Sequence, residues 1–186
     1  MPAQIEPKLT VDDLDLLPDD GNRYELIEGE LLVSTAPGLP HQRIAGMFHF
    51  EISLYLRQHP VGEVIATPGM MFDVYNATIP DLIYMSHERR DQIEHGGRLR
   101  GAPELVIEVL SPGDENRRRD EVVKRQTYGK FGVEEYWIVD PEQHVIEVYR
   151  LSDGALLPVA TLAEQDTLTT PLLPNFALKL SNMFNR

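Results

Sequence analysis

The sequence contains no cysteine, which excludes disulfide bonds and metal sites built from thiolates. A chain without disulfides fits a reducing compartment most easily, so we expect a cytoplasmic protein. No apolar stretch approaches the ~20 residues that a membrane-spanning helix needs. Residues Met1–Lys8 lack the basic start and the apolar run of a signal peptide, so we expect no membrane partner and no secretion.

Positive charge is also scarce, since 17 lysines and arginines stand against 30 acidic residues and give a net charge of −13. Binding to phosphates usually rests on a basic surface, so this balance counts against a nucleic-acid partner. It does not exclude one, because metal-binding carboxylates add negative charge and a basic patch can lie on an acidic body. The run Asn116–Arg119 is either such a patch or the solvated face of a helix.

Several motifs of other enzyme classes are missing. Ser111 has no G-x-S-x-G context, and no phosphate-cradling G-x-x-x-x-G-K-[ST] motif is present. His41, His49 and His59 lack the paired spacing of a zinc site. The single tryptophan, Trp137, lies in an apolar run and is predicted to pack in the core, which argues against a sugar-binding cleft with aromatic walls.

What is present is an ordinary globular composition in which 42% of the 186 residues are hydrophobic, and we expect one domain over residues 1–186. Hydrophobic periodicity and turn residues predict alternating helices and strands. The predicted helices are a short one from Thr10 to before Pro18, then His41–Gln58 and Asn116–Phe131. The predicted strands are Arg23–Ile27, Leu31–Thr35, Val64–Val74, Ile79–Met85, Leu105–Leu110, Glu135–Val139 and Val145–Leu151. This order predicts an α/β fold with a mixed central β-sheet flanked by helices.

Two carboxylates interrupt the predicted strands. Glu108 lies inside the apolar run Leu105–Leu110, where a carboxylate is costly unless it is paired or binds a metal. It can also reach a sheet edge or meet an arginine. Asp81 follows Pro80 and leads a second apolar run, and alone it would be a turn or capping residue. Together the two acids can bind Mg²⁺ (or Mn²⁺), with the backbone carbonyl of Val109 as a third oxygen ligand.

Nuclease chemistry also needs a positive group to orient the attacking water and neutralise developing charge. In the common nuclease motif a lysine stands two residues after the acid, but that position here is Leu110. Lys124, on the following helix, can fold back towards Glu108 and take this catalytic role. The alternative is an ordinary i, i+4 ion pair with Asp120, and both hold if Asp120 orients the lysine.

The sequence resembles the Uma-two family, which is catalogued among the restriction endonucleases of the PD-(D/E)XK superfamily and was formerly a domain of unknown function. The matching segments run from about Tyr24 to Leu151 and are YELIEGEL, His41 opening a helix, IPDL, APELVIEVLSP, RDEVVKRQTYGKFGVEEYWIVDP and VIEVYRL. The resemblance implies a restriction-endonuclease-like fold and a lysine carried on the helix, which matches Lys124. It also favours Glu25 over Glu28 as a supporting acid; on the residues alone, either is as readily a surface acid of the strand.

The predicted function is metal-dependent hydrolysis of DNA phosphodiester bonds by an endonuclease with Asp81, Glu108 and Lys124 as catalytic residues. His41 can carry a proton or contact a phosphate, since histidine titrates near neutral pH, or it can be a residue of the helix-capping region. The alternative function is a catalytically inactive PD-(D/E)XK scaffold that acts as a binding or regulatory protein. Cleavage of both DNA strands would be simplest for a homodimer.

Overall fold

The structure is a computed structural model, and it describes residues 8–113 and 117–184. Its α-helices are α1 Val11–Leu14, α2 Leu39–Gln58, α3 His87–Ile93, α4 Arg125–Phe131 and α5 Ser181–Phe184, and a π-helical segment Arg119–Lys124 leads directly into α4. Its strands are β1 Arg23–Ile27, β2 Glu30–Ser34, β3 Gly62–Ala66, β4 Met70–Asp73, β5 Asn76–Thr78, β6 Leu82–Ser86, β7 Glu94–His95, β8 Arg98–Arg100, β9 Leu105–Val109, β10 Glu135–Asp140, β11 Val145–Ser152, β12 Ala155–Ala163, β13 Thr167–Leu168 and β14 Leu178–Lys179. None of the described helices is long and apolar enough to cross a membrane.

The central sheet has the strand order β12-β11-β10-β9-β6-β3. Strands β9 and β10 pair in parallel, and the remaining neighbours are antiparallel. Every residue of β9 is buried, as the apolar run predicted for a central strand covered on both faces. The chain is thus a mixed α/β fold flanked by helices, in agreement with the predicted fold class.

A second six-stranded sheet, which we name the hairpin sheet, has the order β2-β1-β5-β4-β8-β7. Its β1–β2 hairpin is closed by Glu28 and Gly29, whose φ angles of 54° and 82° are both positive. Two consecutive positive φ angles are the pattern of a type I′ turn, which matches the natural twist of a hairpin. The predicted strands Arg23–Ile27 and Leu31–Thr35 therefore form a hairpin, and it belongs to a sheet that the sequence did not predict.

The prediction of a single strand at Val64–Val74 is wrong, whereas the strand predicted at Ile79–Met85 is present in its larger part as β6. The first is broken at Thr67, with a φ of 50°, and Pro68, so that β3 joins the central sheet and β4 the hairpin sheet. The second begins at Leu82 instead of Ile79, because residues 79–81 connect β5 of the hairpin sheet to β6 of the central sheet. Proline lacks the N–H that a strand ladder needs, which explains both strand boundaries. Asp81 consequently lies where the chain passes from one sheet to the other.

Strand β9 separates two apolar clusters because its side chains alternate between faces. Leu105, Ile107 and Val109 pack with α2 residues such as Phe48 and Ile52. Val106 and Leu110 pack on the opposite side with Tyr128 of α4. Glu108 falls in the second set by this alternation, so its side chain faces α4 and the π-helical segment.

The predicted helix Asn116–Phe131 is present from Arg117 to Phe131 as helical turns, the π-helical segment and α4. Asn116 lies outside the described residues. A π-helix forms i→i+5 hydrogen bonds in place of the usual i→i+4, and such segments are rare and concentrated at functional sites. Hydrophobic periodicity predicted an ordinary helix here and not a π-helical segment.

Candidate active site

Lys124 is buried among carboxylates, and its side chain is only 3% exposed. Its Nζ lies 2.9 Å from Oε1 of Glu108, 2.9 Å from Oε1 of Glu25 and 3.8 Å from Oδ1 of Asp120. Burial lowers the pKa of the ammonium, but the charges of the three acids outweigh burial and raise that pKa well above its ordinary value. Lys124 therefore stays charged across the physiological pH range.

Glu108 is the acid at the centre of this cluster. Its Oε1 accepts hydrogen bonds from Lys124 Nζ and from the Tyr128 hydroxyl, both at 2.9 Å. Its Oε2 accepts a longer hydrogen bond of 3.3 Å from the backbone N–H of Asp81. Burial raises the pKa of Glu108 to about 8, against the opposing charge of Lys124 and with added repulsion from Asp81. Its carboxyl therefore holds a proton more readily than an ordinary glutamate does.

Asp81 is held at both carboxylate oxygens. Oδ1 accepts from Arg23 Nη1 at 3.1 Å, and Oδ2 lies 2.9 Å from His41 Nε2 and accepts the backbone N–H of Val109 at 2.9 Å. Burial favours the neutral acid, but the His41 contact, the Val109 hydrogen bond and the Lys124 charge together lower the pKa of Asp81 below its ordinary value. Asp81 is thus an ionised acid directly beside β9.

The first hairpin contributes Glu25 to the site and leaves Glu28 outside it. Glu25 is buried, and its Oε1 accepts the backbone N–H of Ile79 at 2.8 Å as well as contacting Lys124. Glu28 is exposed and forms a surface ion pair with Lys130. The two acids are three residues apart, so the pleat of β1 and the following turn place them on different sides of the sheet.

The π-helical segment presents Asp120 and Lys124 on one side. Asp120 is buried, its Oδ1 accepts from Arg119 Nε at 3.3 Å, and its backbone carbonyl accepts from the Tyr136 hydroxyl at 3.1 Å. The Tyr136 contact ties this segment to the central sheet through β10. The i, i+4 ion pair expected for Asp120 and Lys124 is present, inside the same cluster rather than on a solvated helix face.

These side chains line one cavity of about 380 Å³. Its charged lining residues are Arg23, Glu25, His41, Asp81, Glu108, Arg119, Asp120 and Lys124. All the supporting and catalytic residues that the sequence singled out therefore meet in one place, and their roles stay predictions. Arg23 and Arg119 were missed as site residues. Arg23 stands two residues before Glu25, and period-two alternation along β1 gave a usable signal for it.

The predicted basic patch is largely neutralised in the structure. Arg117 pairs with Glu121 and Asp140, and Arg119 pairs with Asp120. Arg118 is exposed, and Asn116 lies outside the described residues. Among the described residues of the run, Arg117 and Arg119 are ion-paired, Arg118 faces solvent, and Arg119 also lines the cavity.

The donor set of the cavity fits a hard divalent cation. Its acids offer carboxylate oxygens, which Mg²⁺ prefers. The backbone N–H of Val109 donates to Asp81. In a strand, the N–H and C=O of one residue point to the same edge. The Val109 carbonyl is therefore directed towards the Asp81 side of β9. In the described parts of the chain no three His, Asp or Glu side chains form a ready-made metal site. The acids are paired instead with Lys124, Arg23 and His41, which a cation at Asp81 and Glu108 would have to displace in part.

The fold is a mixed α/β fold of the nuclease-like class, and it holds a buried cluster of acids and Lys124 beside the parallel strand pair β9–β10. The chain belongs to the Uma2 (Uma-two) family, described as "Putative restriction endonuclease", whose model matches residues 11–181. A solved structure from Anabaena variabilis ATCC 29413, titled "a putative nuclease belonging to DUF820", has the same fold, with a TM-score of 0.77 and 19% sequence identity over 95% of this chain and 98% of that chain. No curated protein matches the sequence.

Proposed function

We propose that this protein is a metal-dependent endonuclease that hydrolyses DNA phosphodiester bonds. The observation that carries the proposal is the cluster of Glu25, Asp81, Glu108 and Asp120 around the buried Lys124, in a cavity open to solvent. Family membership supports the reaction class.

Stability does not explain this cluster. Taking several charges out of water costs several kcal/mol per ion, on the order of what their mutual attraction returns. Apolar side chains of similar volume would fill the same space without that cost. Strongly shifted pKa values in a cleft, such as those of Glu108 and Lys124, are typical of functional sites.

In the proposed reaction, Asp81, Glu108 and the Val109 carbonyl would hold the cation. When bound there, it would supply Lewis-acid stabilisation of the negative charge that develops on the phosphoryl oxygens. Glu25 and Asp120 fix the position of Lys124, and the ammonium orients the attacking water and balances its charge. Two of the three ammonium donors face Glu25 and Glu108 at 2.9 Å, whereas Asp120 Oδ1 at 3.8 Å lies beyond hydrogen-bond distance, so one donor remains for that water.

His41 has a supporting role in this proposal. Its Nε2 is fixed on Asp81 at 2.9 Å, so it holds that carboxylate in position against β9. Such a contact places the histidine next to the reacting groups, where it can pass a proton or meet a phosphate oxygen. The N-terminal end of α2, which carries His41, borders the cavity together with Gly38.

The second candidate function is a catalytically inactive scaffold that binds a partner. It is favoured by the pairing of Lys124 with Glu25 and Glu108 and by the lack of a preformed metal site among the described residues. For an active enzyme we further propose a cytoplasmic homodimer, since two-fold symmetry would set one site against each DNA strand.

Calorimetric titration with Mg²⁺ or Mn²⁺, followed by cleavage assays on plasmid and single-stranded DNA, tests the proposal. We expect the wild type to bind the metal and cut DNA, and Asp81→Ala to do neither. Asp91→Ala is the matched control, because it removes an exposed carboxylate whose side chain is 69% accessible. Metal binding that is absent, or equal in the wild type and Asp81→Ala, would favour the inactive scaffold.

A further inference from the structure

We infer that Arg23 and Arg119 form a phosphate-binding site at the mouth of the cavity, which receives the phosphodiester before it reaches the acids. The identity of the ligand as a nucleic-acid phosphate rests on the proposed function. The site itself rests on the arrangement of charge in the described residues.

The charges of the cavity are layered by depth. The side chains of Arg23 and Arg119 are 23% and 17% exposed, whereas those of Asp81, Asp120 and Lys124 are 5% or less. Glu25 and Glu108 are equally buried. An approaching anion therefore meets two guanidinium groups first, and the carboxylates lie beneath them.

Both arginines have hydrogen-bond donors to spare. Arg23 uses Nη1 for Asp81, and Arg119 uses Nε for Asp120, in the ion pairs that the structure shows. A guanidinium carries five N–H donors in a planar fork, which suits bidentate contact with phosphate. The ion pairs thus orient each side chain without consuming its capacity for an anion.

The balance of formal charge also favours an anion once a cation is bound. The four acids of the cavity exceed its two arginines and one lysine by a single negative charge, with His41 neutral. A divalent cation reverses this sign and makes the cavity net positive. Binding of metal and of phosphate should therefore be coupled, although the whole protein is acidic.

One nitrogen of His41 lacks a partner among the described residues at the same wall, and it can donate to a phosphate oxygen only when the imidazole is protonated. This nitrogen, Nδ1, is buried and has no hydrogen-bond partner in the described part of the chain, while the residue lines the cavity. Buried polar atoms without a partner are rare. The N-terminus of the 20-residue helix α2 lies at the same wall and adds the positive end of a helix dipole.

The test uses Arg23→Gln and Arg119→Gln and compares two binding measurements. The first is calorimetric titration with Mn²⁺ alone, and the second is fluorescence anisotropy of a labelled single-stranded oligonucleotide in calcium. Loss of one charged hydrogen-bond donor should weaken oligonucleotide binding by about tenfold. Arg23→Gln should bind Mn²⁺ several-fold more tightly, because it removes a positive charge that competes for Asp81. Misfolding would weaken both.

Two further variants sharpen the result. Arg23→Lys should recover part of the oligonucleotide affinity, because it keeps the charge and loses the planar fork. Arg57→Gln removes the same charge from the exposed far end of α2 and should change neither measurement. Equal oligonucleotide affinity in wild type and both glutamine variants, or no binding by the wild type, would overturn the inference. If the oligonucleotide binds in an arginine-dependent way but DNA is not cleaved in Mg²⁺ or Mn²⁺, the inference stands. In that case only the proposed function is contradicted.

Discussion

At the scale of single residues, Lys124 holds the acid cluster together in the absence of metal. Its ammonium contacts Glu25 and Glu108 at 2.9 Å, and Asp120 lies 3.8 Å away. Lys124 and a cation bound at the acids would therefore neutralise the same carboxylates. The stability of the metal-free protein and its affinity for metal should respond to Lys124 in opposite directions.

Lys124→Ala leaves three buried carboxylates without their shared cation. We expect the metal-free variant to lose roughly 3–5 kcal/mol of stability, which is the usual effect of breaking a buried pair. Mg²⁺ should then raise the melting temperature more in Lys124→Ala than in the wild type, because the metal replaces the missing charge. DNA cleavage should fall about 10²–10³-fold, since one electrostatic contact to the reaction is lost.

Lys130→Ala is the control for this prediction, measured by calorimetric melting with and without Mg²⁺. Its ion pair with Glu28 is more than half exposed at both side chains, so its loss should have little effect. A Lys124→Ala protein that melts and cleaves like the wild type would show that the ion pairs are dispensable.

The two proposed metal ligands should differ in how they affect the metal-free protein. The folded-state pKa of Glu108 is raised to about 8, so folding favours its neutral form. The contribution of Glu108 to the free energy of unfolding is fully present below its ordinary pKa of 4.5 and is lost as pH rises through about 8. The pKa of Asp81 is lowered, so its stability is present above the ordinary 3.8 and is lost as pH falls through the folded value.

Glu108→Gln should therefore raise the melting temperature of the chelator-treated protein at pH 8–9, by roughly 2–4 °C for each kcal/mol gained. Asp81→Asn should lower it at neutral and alkaline pH, because Arg23 and His41 lose an ionised partner. Both variants should lose metal affinity in calorimetry. The assignment of charge states fails if Glu108→Gln destabilises the protein at pH 9 as much as Asp81→Asn does.

At the scale of secondary structure, the site is assembled where the two sheets and a helix meet. Strand β1 of the hairpin sheet supplies Arg23 and Glu25, β9 of the central sheet supplies Glu108, and the π-helical segment supplies Asp120 and Lys124. The backbone N–H of Ile79 fastens Glu25 beside Asp81. The hairpin therefore has to be stable for two of the charged groups to stay in the cavity.

Gly29→Ala tests the contribution of the hairpin turn. The residue has a φ of +82°, and an added Cβ would lie 2.7 Å from Cβ of Lys8. The left-handed backbone alone costs roughly 1–2 kcal/mol for alanine, and the contact with Lys8 adds to it. Gly21→Ala has the same φ with nothing within 4 Å, so it should lower the melting temperature less. An equal fall in melting temperature for the two variants would mean that the Lys8 side chain moves away from the new Cβ at little cost.

At the scale of the whole molecule, the net charge of −13 does not describe how charge is arranged locally in the cavity. Eight of the charged or titratable residues form one cavity, with arginines at its mouth and acids at its floor. Long-range attraction of DNA to such an acidic body is weak, so binding should depend on local contacts and on the metal.

The fold tolerates wide sequence change around this arrangement. The structure from Anabaena variabilis shares only 19% of residues with this chain at a TM-score of 0.77. Such a pair shares an architecture because hydrophobic pattern and volume decide a fold more than residue identity does. Function has to be argued from the site and not from the fold.

Much of the site could be predicted from local pattern. A carboxylate inside the apolar run Leu105–Leu110 had to be buried, and a buried acid needs a partner. Periodicity placed α2 nearly to its ends and identified β9, β10 and β11, because these segments carry strong and uninterrupted hydrophobic patterns. Pairing of Lys124 with Asp120 followed from helix spacing.

Tertiary structure decided the rest. Thr67 and Pro68 divide one apolar run between two sheets, Pro80 lies in the crossing from β5 to β6, and no local pattern says which sheet each strand joins. The pairing of Arg23 with Asp81 joins residues 58 positions apart, and that of Lys124 with Glu25 depends on how the hairpin sheet packs near α4. Sequence shows which side chains must be buried or paired, through their chemistry and period. Which partners they find depends on packing between distant segments, which the local sequence does not encode.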